Sequence, residues 1–125
     1  MVLVITNECN RRCPFCFEGS LKDAPPRGMS LADIDRLCRF FAIRQRPPGY
    51  RVTLLGGEPT LHPELVRIID RVRSHNPMVE VVLLTNLTCT PELVHELVTR
   101  HVGLLVNVVP PELNTSEQER TVQRN

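Results

Sequence analysis

Near the start of the chain three cysteines fall within eight residues, in the run Cys9-Asn10-Arg11-Arg12-Cys13-Pro14-Phe15-Cys16. Gaps of three residues and then two bring three thiolates round one side of a short loop. Three thiolates are one short of a closed zinc or iron–sulfur site. A cluster held this way keeps one iron without a protein ligand, and that iron can bind a small molecule. Two other readings of the triplet stay open. One is a structural zinc completed by Cys38, Cys89 or a histidine, and the other is a redox pair of Cys13 with Cys16.

Further residues able to do chemistry come later in the chain: Gly56-Gly57-Glu58-Pro59, then Thr85-Asn86, then Asn107. Glycines bring backbone carbonyls close to a ligand, a glutamate offers a carboxylate for charge-assisted pairing, and proline stiffens the turn. A plain turn explains Gly56-Gly57-Glu58-Pro59 or Thr85-Asn86 equally well when each is taken alone. Cys38 and Cys89 read as small core residues. His62 reads as a capping or packing group. His75, His95 and His101 lie near helix ends and receive no functional role.

The elements that must position these residues follow from hydrophobic patterning. Val2 to Thr6 is a β-branched apolar run, read as a buried strand. Ser30 opens a helix with Asp33 as its capping-box partner, and Leu31, Ile34, Leu37, Cys38 and Phe41 recur at helical spacing until Pro47-Pro48-Gly49. Strands are expected at Arg51 to Leu55, Val79 to Leu84 and Gly103 to Val109. Helices are expected from Pro63 to Asn76-Pro77 and from Thr90-Pro91 onward. Pro110-Pro111 interrupts, and Thr115 with Gln118 suggests one more capping box. Continuous apolar strands between amphipathic helices predict an α/β fold. Its parallel sheet has about four βα units, each a right-handed crossover. In such sheets ligands bind at the C-terminal ends of the strands, and all four chemical groups follow strand ends.

A chain of 125 residues, 42% apolar, suits one domain with a modest core. It holds no apolar run near the length of a membrane helix, and Met1 to Ile5 does not read as a signal peptide. A cytoplasmic location is expected. A net charge of +1 gives no field that would favour nucleic acid or an anionic membrane. Five cysteines, an odd count, point to ligand or free-thiol chemistry rather than disulfides.

On Cys9, Cys13 and Cys16 with Phe15 before the last, then Gly56-Gly57-Glu58-Pro59 and Thr85-Asn86, the chain resembles the radical S-adenosylmethionine (SAM) superfamily. The resemblance covers residues 2 to 109. It implies a partial TIM-type barrel, of which residues 1–125 supply the first four of six βα units. It implies a 4Fe-4S cluster on Cys9, Cys13 and Cys16, whose fourth iron SAM chelates. Reductive cleavage of SAM then yields methionine and a 5′-deoxyadenosyl radical that abstracts hydrogen from an unknown substrate. Gly56, Gly57, Glu58 and Pro59 are implied at SAM's methionine end and Phe15 beside its adenine. Thr85, Asn86 and Asn107 are available for its carboxylate or ribose. An electron donor such as a flavodoxin or ferredoxin is the implied partner. The apolar last strand, if uncovered, is an edge through which the chain could self-associate, and a half barrel would leave the radical open to water.

Overall fold

The computed structural model describes residues 1–16 and 24–108, so Pro110-Pro111 and the Thr115–Gln118 pair lie outside the described residues. Seven principal elements alternate strictly: β1 (Val2–Thr6), α1 (Leu31–Phe40), β2 (Arg51–Gly56), α2 (Leu65–His75), β3 (Glu80–Thr85), α3 (Pro91–Thr99) and β4 (Gly103–Val106). The strands form one parallel sheet in the order β1-β2-β3-β4. Each crossover advances one strand, which is the progression of a barrel rather than of a doubly wound sheet. The expected α/β architecture of four parallel strands is therefore present.

Register explains how the sheet buries one face. Leu3, Leu54, Leu83 and Leu104 form a single row across all four strands. Ile5, Val52 and Val81 share its face, and Ile34, Cys38, Ile68, Ile69, Val72 and Leu97 from the helices pack over it. Burying side chains of this size stabilises by about 1.5–3 kcal/mol each. The opposite face carries Val2, Val4, Leu55, Leu84 and Leu105, and there Val2 is 61% exposed and Leu105 50% exposed. The helices thus cover one side of the sheet, as in the wall of an open barrel.

Local chemistry sets most helix starts. Ser30 and Asp33 form the expected reciprocal capping box, and Thr90 caps α3 with Pro91 in its first turn. Strand β4 ends at Val106, short of the expected Val109, and two helix boundaries also differ from expectation. Helix α1 stops at Phe40 because Ala42 takes a left-handed conformation, φ 50°, and a 3₁₀ turn at Ile43–Gln45 follows. A glycine normally supplies such a stop, so nothing in the residue types announced it. Helix α2 starts at Leu65 rather than at Pro63, because the intervening chain forms a 3₁₀ turn at Pro59–Leu61.

Helices α1 and α2 are clasped by Asp35. Its carboxylate accepts from the Arg71 guanidinium at 2.8 Å and pairs with His75 Nε2 at 2.7 Å. The His75 hydrogen bond, followed by the charge of Arg71, holds the Asp35 carboxyl below its ordinary value of 3.8. A depressed carboxyl adds stability that is present in full above the ordinary value and is lost as pH falls through it. The urea midpoint of wild type should therefore exceed that of Asp35→Asn at pH 7, and the gap should close as pH falls below about 4. A gap that stays constant from pH 7 to pH 3 would exclude the clasp.

Candidate functional site

The four strand ends converge on one cavity. Its wall is made by Cys9, Cys13, Cys16 and Phe15 from the loop after β1, and by Gly56, Gly57 and Glu58 after β2. Thr85, Asn86 and Asn107 come from the ends of β3 and β4. Leu55 and Leu84 add apolar surface, and Arg11 joins from within the cysteine loop. Pro59 is buried, begins the 3₁₀ turn and is the one residue of the predicted set that does not line the cavity.

The glycines are required by packing between two loops. A Cβ on Gly56 would lie 2.2 Å from the Thr6 carbonyl oxygen, and one on Gly57 would lie 2.2 Å from that of Glu8. Both obstacles are backbone and cannot swing aside. The close approach lets the Gly57 N–H donate to the Thr6 carbonyl at 3.0 Å and the Glu58 N–H donate to the Glu8 carbonyl at 2.7 Å. The residue before Cys9 is thereby bonded to the turn after β2. The sequence assigns these glycines to a ligand; in the fold they line the cavity and also make room for the cysteine loop.

Glu58 is 1% exposed, and its carboxylate is a junction between strand ends. Oε1 accepts from the Thr60 N–H at 3.1 Å, the Thr60 hydroxyl at 2.7 Å and the Thr85 hydroxyl at 2.6 Å. Oε2 accepts from the Asn86 N–H at 2.7 Å. These bonds fill most of what a carboxylate can accept, with Oε2 the less engaged oxygen. Thr85 also accepts the Leu87 N–H at 2.9 Å, which holds Leu87 in a left-handed conformation at φ 57°.

A second relay joins this turn to the cysteines. Asn10 donates through Nδ2 to the Thr88 hydroxyl at 2.6 Å, and its Oδ1 accepts from Asn86 Nδ2 at 2.9 Å. Asn86 Oδ1 accepts in turn from the Thr88 N–H and hydroxyl. The Asn86 amide and the Thr85 hydroxyl, predicted to face a ligand, are thus also bonded within the protein. Sequence reasoning missed Asn10 and Thr88. The available signal was an amide between two candidate ligands and a second Asx-turn residue at Asn86-Leu87-Thr88.

The remaining candidates are explained by their surroundings. His62 is buried; Nδ1 accepts the Glu64 N–H, so the hydrogen sits on Nε2, which bonds the Met29 carbonyl at 3.0 Å. Its role is packing and capping. Burial and then the charge of Asp35 push the Cys38 thiol up to about 11. Burial, then the charge of Glu58, raises Cys89 as well. Neither of these thiols lines the cavity. No group of three or more His, Cys, Asp or Glu among the described residues converges closely enough to hold a single metal ion. A cuboidal cluster asks something different, since each thiolate binds its own iron and the sulfurs ring a space rather than meet at a point. Three thiols round one cavity fit that donor set.

A sequence model of the Radical SAM superfamily matches residues 3–124. GTP 3′,8-cyclase of Stenotrophomonas maltophilia (strain K279a) is 36% identical over 90 residues, 71% of this chain and 27% of the relative. GTP 3′,8-cyclase of Yersinia pestis is 34% identical over 84 residues, 66% of this chain and 24% of the relative. The 7,8-dihydro-6-hydroxymethylpterin dimethyltransferase of Methanocaldococcus jannaschii is 33% identical over 69 residues, 55% of this chain and 13% of the relative. The chain therefore spans about a quarter of the length of these cyclases.

Two substitutions test the architecture. Gly57→Ala should destabilise by about 1–3 kcal/mol through overpacking against the Glu8 backbone, measured by urea unfolding. Glu58→Ala should cost on the order of 3 kcal/mol, because it orphans the buried Thr85 hydroxyl and the half-buried donors of Thr60 and Asn86. Wild-type midpoints for both variants would show that the loops are not packed as described.

Proposed function

The chain belongs to the radical SAM superfamily, and on that premise we propose that it binds a 4Fe-4S cluster through Cys9, Cys13 and Cys16 and presents SAM to the open iron. The observation that carries this reading is the meeting of all three cysteines with Gly56, Gly57, Glu58, Thr85 and Asn86 round a single cavity. When bound, the cluster supplies the electron that cleaves SAM to methionine and a 5′-deoxyadenosyl radical.

The protein's own contribution is orientation and shelter. Glu58 Oε2 and the carbonyls of the Gly56-Gly57 turn offer acceptors to an ammonium group, which suits the methionine end of SAM. Phe15 is 52% exposed on the cavity wall and offers a flat apolar surface to an adenine. Asn107 lines the opposite side; its N–H donates to the Thr85 carbonyl at 2.8 Å, which fixes its backbone beside the β3 end. Leu55 and Leu84 give the cavity an apolar lining that disfavours water.

Substrate and reaction are proposals of a different kind. Relatives named for different activities, a GTP 3′,8-cyclase and a pterin dimethyltransferase, share similarity with this one chain. A stretch common to both points to shared cofactor handling, so we leave the substrate unassigned. We place the chain in the cytoplasm, where thiols stay reduced, with a low-potential flavodoxin or ferredoxin as electron donor. No helix among the described residues is long and apolar enough to cross a membrane. We also propose that residues 1–125 form the first four units of a six-unit partial barrel, with β4 as an edge open to pairing.

Anaerobic reconstitution with iron and sulfide should give brown protein with about four irons per chain. Added SAM should alter the spin-resonance spectrum of the reduced protein. Cys13→Ala should lose the iron while keeping the fold by circular dichroism. Colourless protein with one zinc, or iron retained by Cys13→Ala, overturns the reading.

A further inference from the structure

Arg11 is the one arginine in a cavity wall of thiols, amides, a hydroxyl, apolar groups and the Glu58 carboxylate, which is already engaged by Thr60, Thr85 and Asn86. Its backbone N–H donates to Cys9 Sγ at 3.4 Å, and its side-chain Nε is shielded from solvent. Arg12, next in the chain, is exposed and does not line the cavity. Both arginines line a neighbouring pocket with Cys9, but of the two Arg11 alone lines the cavity that gathers the three thiols.

We propose that Arg11 sets the reduction potential of the cluster site, an inference that rests on the cluster reading above. A cubane with three thiolates gains one further negative charge when it accepts one electron from an external low-potential donor. Hydrogen bonds to the ligand sulfurs and nearby positive charge are known levers on such potentials. Arginine keeps its charge at every working pH. Lining a cavity shared with Leu55, Leu84 and Phe15, that charge is screened less than it would be in bulk water and acts over a longer reach. It therefore favours the reduced form, and the Cys9 hydrogen bond from the same residue acts in the same direction. Arg11 is a positioning residue here, because it donates no electron or proton and acts only through the field at the sulfurs.

The experiment compares reconstituted wild type, Arg11→Gln, Arg11→Lys and Arg12→Gln. Each is poised with dithionite against redox mediators and read by visible absorbance and spin resonance. At the potential that half-reduces wild type, Arg11→Gln should show a reduced-to-oxidised ratio about tenfold lower, equivalent to ~59 mV for a one-electron couple. Arg11→Lys should stay near wild type, and Arg12→Gln should move much less than Arg11→Gln. Equal ratios in wild type and Arg11→Gln overturn the proposal, as does an equal shift in Arg12→Gln. If Arg11→Gln takes up no iron, restoration by lysine supports a role for the charge. Failure of both variants to take up iron marks Arg11 as structural and overturns the proposal. A wild-type protein that assembles no cluster refutes the underlying reading instead, so the two failures are distinguishable.

Discussion

One buried carboxylate ties the rim of this sheet together. Glu58 leaves β2 and accepts hydrogen bonds from Thr60 in its own turn and from Thr85 and Asn86 at the end of β3. An uncompensated carboxylate this deep would be costly, so its partners have to be in place whenever the sheet is formed. Those partners are also the residues that carry the Asn10 relay into the cysteine loop. The ends of β2 and β3 and the cysteine loop after β1 thus depend on one set of bonds.

The glycine pair supplies what hydrogen bonds cannot. Only residues without a Cβ allow the backbone of Thr6 and Glu8 to rest on the β2 turn. The described part of the cysteine loop, residues 7–16, is largely polar. It is held from below by Gly57 and Glu58 and from the side by Asn10. Preorganisation of this kind matters at a cofactor site, where ligands must stand in place before the cofactor arrives. The pinning also brings Arg11 to the cavity wall, whereas Arg12 is exposed and lies outside that wall.

Much of the fold was legible in the residues because local rules and burial agreed. Ser30 with Asp33 and Thr90 with Pro91 mark helix starts that the structure keeps. The apolar runs after Met1, Arg51 and Glu80 become parallel strands. The end of α1 was not legible, since Ala42 adopts its left-handed turn without the glycine that normally signals one. Asn76 read as a helix breaker; buried, it donates to the carbonyls of Ile43 and Arg46 at 3.0 Å each and locks the base of the sheet. Such a role depends on a partner 30 or more residues away and leaves no local trace.

For the site the division follows the same physics. Cysteine spacing and the glycine–glycine–glutamate turn are short-range chemistry, so the sequence by itself determined which residue types gather and that they follow strand ends. It could not determine which atoms remain for a ligand, because that depends on what the rest of the chain has already bonded. Tertiary structure decided that the Thr85 hydroxyl and the Asn86 amide serve the protein's own turns. It also decided that the glycines make room for backbone and that Arg11 rather than Arg12 lines the cavity of the thiols. The reason is distance along the chain: hydrogen bonds between residues 27 to 78 positions apart exist only once the sheet has brought its strand ends together.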